Sequence, residues 1–208
     1  MPTDLLIALT TFCLVTTITP GPNNMMLLSS GATFGLRRTA PHIIGISSGC
    51  AVMVLVLGFC VNGVAKHLPL LLSILHIVSA IYLVWLAWRI ATSASPHEAR
   101  TKKRPLRLLD AAAFQWVNPK AWVMVLGAIT SFARPGHMAF DVPIIALVLV
   151  IIGLPCITLW AGSGTLLRGV FRNPRTLRAF NYSMASLLVL SIVPGLWNQY
   201  LTLRGSSG

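Results

Sequence analysis

Six stretches of the chain, residues 5–30, 42–63, 69–90, 111–132, 142–167 and 179–201, each run for about 22 to 27 mostly uncharged residues, long enough to cross a hydrocarbon core as an α-helix. Unpaired backbone groups are not tolerated in lipid, and no ten-residue alternating segments suggest a barrel, so helices are the spanning structure the sequence predicts. A mean hydropathy of +0.78 with 10% charged residues agrees, because a soluble domain of this size could not wet such a surface. The expected fold is an all-α membrane protein of six transmembrane helices in a single domain, residues 1–208. It divides into repeat one at about 4–92, a basic cytoplasmic loop at about 93–108 and repeat two at about 109–203.

The formal charge of +12 sorts by membrane side and does not call for nucleic acid. Arg37, Arg38, Arg89, Arg100, Lys102, Lys103, Arg104, Arg107, Arg168, Arg172, Arg175 and Arg178 fall on one side, against Lys66, Arg134 and Arg204 on the other. The positive-inside bias puts the first group in the cytoplasm and both termini outside a bacterial inner membrane. The run from Arg100 to Arg107 reads first as a topology determinant, with a contact to anionic lipid headgroups as the alternative. No basic residue precedes the first apolar stretch, so that stretch is expected to persist as a span. Cys13, Cys50, Cys60 and Cys156 lie inside apolar windows without metal-ligand spacing and read as small core residues.

Two groups of helix breakers lie deep inside windows. Thr19-Pro20-Gly21-Pro22-Asn23-Asn24 sits midway between the flanking charges Asp4 and Arg37, and Asn118-Pro119-Lys120 midway between Arg107 and Arg134. One group opens the first three windows and the other the last three, so the chain reads as two inverted three-helix repeats with helices 1 and 4 broken at mid-membrane. Paired discontinuous helices point to a secondary transporter and to its binding site. Two plain proline kinks with no ligand role are the alternative. Pro20, Pro22 and Pro119 lack an amide hydrogen and so free the carbonyls of Thr16, Ile18 and Gln115. Each break also starts a half-helix whose first amides lack partners and carry the positive end of the dipole. Thr16, Thr19, Pro20, Gly21, Pro22, Asn23, Asn24, Gln115, Asn118, Pro119 and Lys120 are therefore the candidate substrate-binding and translocation residues. A zwitterionic amino acid fits them, its carboxylate towards the amides and Lys120, its ammonium towards freed carbonyls and Asn or Thr oxygens.

Lys120 is the one Lys or Arg well inside a window, where a lysine costs about 2.5 to 3.5 kcal/mol. No Asp or Glu lies inside any window, so backbone carbonyls, Asn or Gln side chains, water or a substrate carboxylate must offset that cost; a lysine snorkelling to the interface is the alternative. The cost falls on the charged form, which makes Lys120 a candidate proton-coupling group. His76, well inside the third window, is a second candidate, against a neutral packing role. Gly45 and Gly49, four apart with Ser48 between them, suit close helix contact. Tyr82, Trp85 and Trp88 read as interface anchors.

These motifs resemble those of the LysE/RhtB family of bacterial amino-acid exporters over essentially the whole chain. Thr19-Pro20-Gly21-Pro22-Asn23 is similar to the family's first-span signature, Asn118-Pro119-Lys120-Ala121 to its fourth-span one, and Ala80 to Arg89 to its third span. Pro20 to Asn24, Leu28-Ser29-Ser30 and Val84 to Ser93 look most like the branch that exports cysteine and O-acetylserine. The resemblance implies six spans, efflux of amino acids or related metabolites, and energy from the proton gradient. Basic amino-acid exporters of the family often carry an acid where this chain has Gly49-Cys50, which favours a small neutral amino acid or derivative, cysteine/O-acetylserine-like or homoserine/threonine-like. An exporter of basic amino acids, or of another small metabolite or ion, is the alternative. The family's third span commonly has glycine where Ser79 and Ala87 stand here.

The sequence argues against other classes. A nucleotide motif of the GxxxxGK[ST] type, an HExxH-type metal or catalytic cluster and intramembrane carboxylate or thiolate clusters are all missing, so neither an enzyme nor a metal transporter is expected, and no cofactor or metal is called for. The expected partners are a small amino acid and membrane lipids; a homo-oligomer is compatible with the sequence.

Overall fold

The computed structural model describes residues 1–64 and 104–167, with scattered positions between 81 and 92 and between 169 and 190. His76, Tyr82, Lys66 and most of the third and sixth windows lie outside the described residues. What is described is helical: α1 (Thr3–Ile18), α2 (Pro22–Phe34), α3 (Leu36–Val64), α4 (Leu108–Phe114), a 3₁₀ turn at Gln115–Val117, α5 (Pro119–Phe132) and α6 (Met138–Leu166). Two of these, α3 and α6, contain apolar stretches long enough to cross a membrane alone, and α1 with α2 passes as a bent pair with 56° between them.

Both expected breaks are present, and each has its own local cause. Pro20 and Pro22 cannot donate to the preceding turn, so α1 stops at Ile18, Thr19 and Gly21 are extended, and α2 restarts with Pro22 at its first position, where no amide hydrogen is needed. In the fourth window a single residue leaves the helix, Asn118 at φ −88° and ψ 108°, and Pro119 opens α5 in the same way. The two breaks lead into the same sequence of elements: a half-helix of 13 or 14 residues, then a helix of 29 with a proline at its sixth position, Pro41 in α3 and Pro143 in α6.

The long helices extend beyond the apolar windows towards their N-terminal ends. Arg37 and Arg38, expected between spans, stand exposed in the first turn of α3, because only Gly35, at φ 82° and ψ 162°, separates it from α2, and that backbone region is open to glycine. Each long helix is tied to the preceding turn by a buried polar residue at its fourth position. Thr39 donates to the Gly35 carbonyl (2.9 Å) and pairs with Ser30 (2.9 Å). Asp141, fully buried, accepts from Arg134 through Nε (2.8 Å), Nη2 (2.9 Å) and the backbone amide (3.1 Å). A forked, charge-assisted pair of this kind satisfies a carboxylate that would otherwise be costly to bury.

Small residues let the helices close on the core. A Cβ at Gly45 or Gly49 would run into the backbone of Leu108 or Ala112, so α3 meets α4 at near contact, as the four-residue glycine spacing predicts. Gly31 of α2 and Gly164 of α6 are tighter still, facing the backbones of Ala161 and Leu28, and Thr165 of α6 donates to the Gly31 carbonyl at 3.2 Å. The core between the helices holds Leu9, Leu27, Met53, Val125, Ile129 and Ile145, while Val52, Val56, Phe59, Leu147, Ile151 and Leu159 point outward. Helices that are apolar on their outer faces as well as the inner ones require lipid as solvent. Cys13, Cys50 and Cys156 are buried as expected; Cys60 instead faces outward from α3, where a small apolar side chain is as well placed against lipid as in a core.

Candidate functional site

The two breaks meet. Lys120, second residue of α5, extends across to the first break, where its ammonium donates to the Thr19 carbonyl, to the Thr19 hydroxyl at 2.9 Å and to the Pro20 carbonyl at 3.2 Å. Backbone carbonyls and a hydroxyl are thus its partners, and the side chain reaches across to the other helix rather than along its own. Its stem lies over Gly21, where an added Cβ would fall 2.6 Å from Cδ and 3.1 Å from Nζ. Gly21 is extended, a conformation open to any residue, so close approach is what calls for glycine there.

Around this contact the amide side chains form a second bridge. Asn23 of α2 donates to Gln115 Oε1 at 2.8 Å, and Gln115 Nε2 returns a bond to Asn23 Oδ1 at 3.1 Å while also reaching the Ala111 carbonyl at 2.9 Å. Asn118 donates to the same Gln115 oxygen at 3.3 Å, and the Cys50 thiol of α3 approaches it at 3.6 Å. Gln115 is fully buried and Asn118 nearly so; satisfied polar groups in such a place hold a fixed arrangement. Asn24 spans the first break from the other side, donating to the carbonyls of Thr17 (3.0 Å) and Thr19 (2.7 Å).

The carbonyls expected to be freed by the prolines are not left open. Thr16 accepts from the Thr19 hydroxyl (3.0 Å), Ile18 from the indole of Trp160 on α6 (3.1 Å), and Gln115 from the Asn118 amide (3.2 Å). A chain with no water in its surroundings satisfies such groups internally wherever a donor can reach. The carbonyls that take the ammonium are instead those of the break itself, Thr19 and Pro20.

These groups wall a cavity of about 50 Å³, lined on its polar side by Thr16, Thr17, Gly21, Asn23, Asn24, Ser47, Asn118 and Lys120, and on its apolar side by Ile46, Met124, Leu149 and Ile157. That admits a few waters or a fragment of a small solute, against about 300–1,000 Å³ for sites that take drug-sized ligands. Of the residues picked out by sequence, Thr16, Gly21, Asn23, Asn24, Asn118 and Lys120 line it; Thr19, Pro20 and Gln115 stand directly behind, and Pro22 and Pro119 open the two half-helices. Sequence reasoning did not select Thr17, Ser47 or Gly153, which lie within helices and outside the proline clusters that gave the signal.

Two broken helices facing a small cavity with polar groups along one side, in helices apolar outside as well as in, are features that suit a membrane translocator. The chain belongs to the LysE family: the profile of the LysE type translocator matches residues 14–192. It is similar to the cysteine/O-acetylserine efflux protein of Salmonella typhi, 33% identical over 190 residues (91% of this chain and 96% of the relative), and to the protein of that name from Escherichia coli K12, 32% identical over 194 residues (93% and 98%). No solved structure matches the chain significantly.

Proposed function

We propose that this protein is a secondary active exporter of small neutral amino acids of the cysteine, O-acetylserine, serine or threonine type, built from six spans as two inverted repeats in a bacterial inner membrane with both termini outside. The observation that carries the reading is Lys120 bonded to the carbonyls of the opposite break. The lysine ammonium holds the place that the ammonium of a zwitterion would take. An incoming amino acid brings its own ammonium to the Thr19 and Pro20 carbonyls, displaces Nζ, and offers its carboxylate to the released lysine and to the open amides at the start of α2. Cargo binding thereby exchanges one set of ionic contacts for another without leaving a charge unpaired in a low-dielectric site.

The repeated order of break, half-helix and 29-residue helix supports two related halves. Cys50, with no acid beside it among the described lining residues, supports a neutral cargo. Lys120 and His76 are the groups we assign to proton coupling. The names of the bacterial relatives support the amino-acid class.

The deciding experiment compares the medium of cells that overexpress the protein with that of cells that do not. Accumulation of cysteine, O-acetylserine, serine or threonine is the expected result; a medium changed in no amino acid sinks the reading. Reporter fusions after Pro69 and Pro135 are expected to report the outer face, and cytoplasmic signals at both would reverse the orientation.

A further inference from the structure

Thr17, one of the residues that line the cavity, carries a hydroxyl that the contacts described above leave out. Threonines in helices ordinarily turn their hydroxyl back onto their own backbone, and in α1 Thr10, Thr11 and Thr16 do so, donating to the carbonyls of Leu6 (2.8 Å), Ile7 (3.0 Å) and Phe12 (2.7 Å). Thr17 does not. Its Oγ1 is buried and has no hydrogen-bond partner among the described residues, although an unpaired buried hydroxyl is unfavourable. It lines the cavity opposite Gly153 of α6, whose missing side chain leaves room there: a Cβ at Gly153 would come to 3.7 Å from the hydroxyl. Thr17 is the last residue but one of α1, and the Asn24 side chain ties its carbonyl to that of Thr19, which takes the Lys120 ammonium.

We propose that the Thr17 hydroxyl is the specificity-determining group of this site, pairing with the polar atom on the β-carbon of a small amino acid. The inference rests on the exporter reading above and adds to it a rule of selection. A cargo whose α-ammonium sits on the Thr19 and Pro20 carbonyls extends its β-substituent towards Thr17. A hydroxyl or thiol there satisfies Oγ1 as donor or acceptor, and an ester oxygen accepts from it. An aliphatic cargo of the same size leaves the buried Oγ1 unpaired, and a site with a committed hydrogen-bonding group discriminates against such an analogue.

The test uses purified full-length protein in proteoliposomes, with counterflow of labelled serine and labelled alanine measured side by side for the native chain, Thr17→Val and Thr17→Ser. Valine keeps the shape and removes the hydroxyl; serine keeps the hydroxyl. The expected result is a serine-to-alanine rate ratio that falls about tenfold in Thr17→Val, the order of one lost hydrogen bond, and returns to within about twofold of native in Thr17→Ser. A ratio unmoved in Thr17→Val, or a loss shared equally by serine and alanine, overturns the assignment while leaving the exporter reading intact. A native protein that exchanges none of serine, alanine, cysteine, O-acetylserine or threonine overturns the exporter reading, and the role of Thr17 with it. Because the ratio is read within one preparation, a lower yield of a variant does not imitate the effect.

Discussion

The two breaks perform the same interruption with different chemistry. The first uses three residues, Thr19 to Gly21, bends the chain by 56°, and gives α2 no side-chain cap. The second uses Asn118 alone, whose side chain accepts from the Lys120 amide at 3.2 Å and caps α5. The second also closes on itself: the Asn118 amide meets the Gln115 carbonyl at 3.2 Å, and the Trp116 carbonyl receives the indole of Trp122 at 2.9 Å. A break that satisfies its own backbone has a side chain to spare, and this one extends Lys120; a break that does not offers carbonyls, and the first receives it. Function at a paired site therefore follows from asymmetry between the halves as much as from their likeness.

Substitutions on either side of that asymmetry should separate its parts. The largest effect is expected for Lys120→Met, which removes the donor and leaves the first break unmet. Efflux from loaded cells should fall about a hundredfold or more, the order expected when a charged group with several hydrogen bonds is lost, with membrane levels unchanged. Normal efflux would remove Lys120 from the mechanism. Gly21→Ala comes next, because the new methyl group displaces the lysine stem without disturbing an extended backbone. Transport should drop about tenfold while thermal stability in detergent holds, since only the flexible end of a side chain has to move. A loss of folded protein instead would show that Gly21 serves packing.

The amide bridge supplies the third comparison. Gln115→Leu takes the Gln115 partner from the buried Asn118 and the half-buried Asn23, and about 1–3 kcal/mol of stability should be lost, read as a lower midpoint of thermal unfolding in detergent. An unchanged midpoint would mean that the two halves are held together elsewhere. The smallest effect belongs to Asn118→Ala, which removes the cap of α5 and should cost about 1 kcal/mol; a much larger loss would show that the Asn118 contact to Gln115 matters more than the cap.

Much of this was legible in the sequence because prolines act locally. Their missing amide hydrogens fix where a helix stops whatever surrounds it, and both interruptions fell where Pro20, Pro22 and Pro119 put them. Gly45 and Gly49 were legible for a similar reason, as spacing on one helix face. What could not be read was the choice of partner. Nothing in the sequence joins Asn23 to Gln115 across 92 positions or directs the Trp160 indole to the Ile18 carbonyl, since those pairings depend on how helices far apart in the chain pack. For that reason the carbonyls of Thr16, Ile18 and Gln115, counted as free from proline geometry alone, turned out to be occupied. Thr17 escaped notice because its distinction is a hydroxyl that fails to bond its own helix, which no residue pattern records.

The backbone contact of Gly31 and Gly164 constrains how such a molecule can move. With no side chains between them to act as bearings, α2 and α6 cannot slide past one another without driving one carbonyl into the next. The two therefore travel as one lever, although they stem from opposite halves of the chain. On the exporter reading proposed above, a stroke that opens the cavity would flex the short linker at Thr19 to Gly21, so that the break proposed to seat the cargo would also be the pivot.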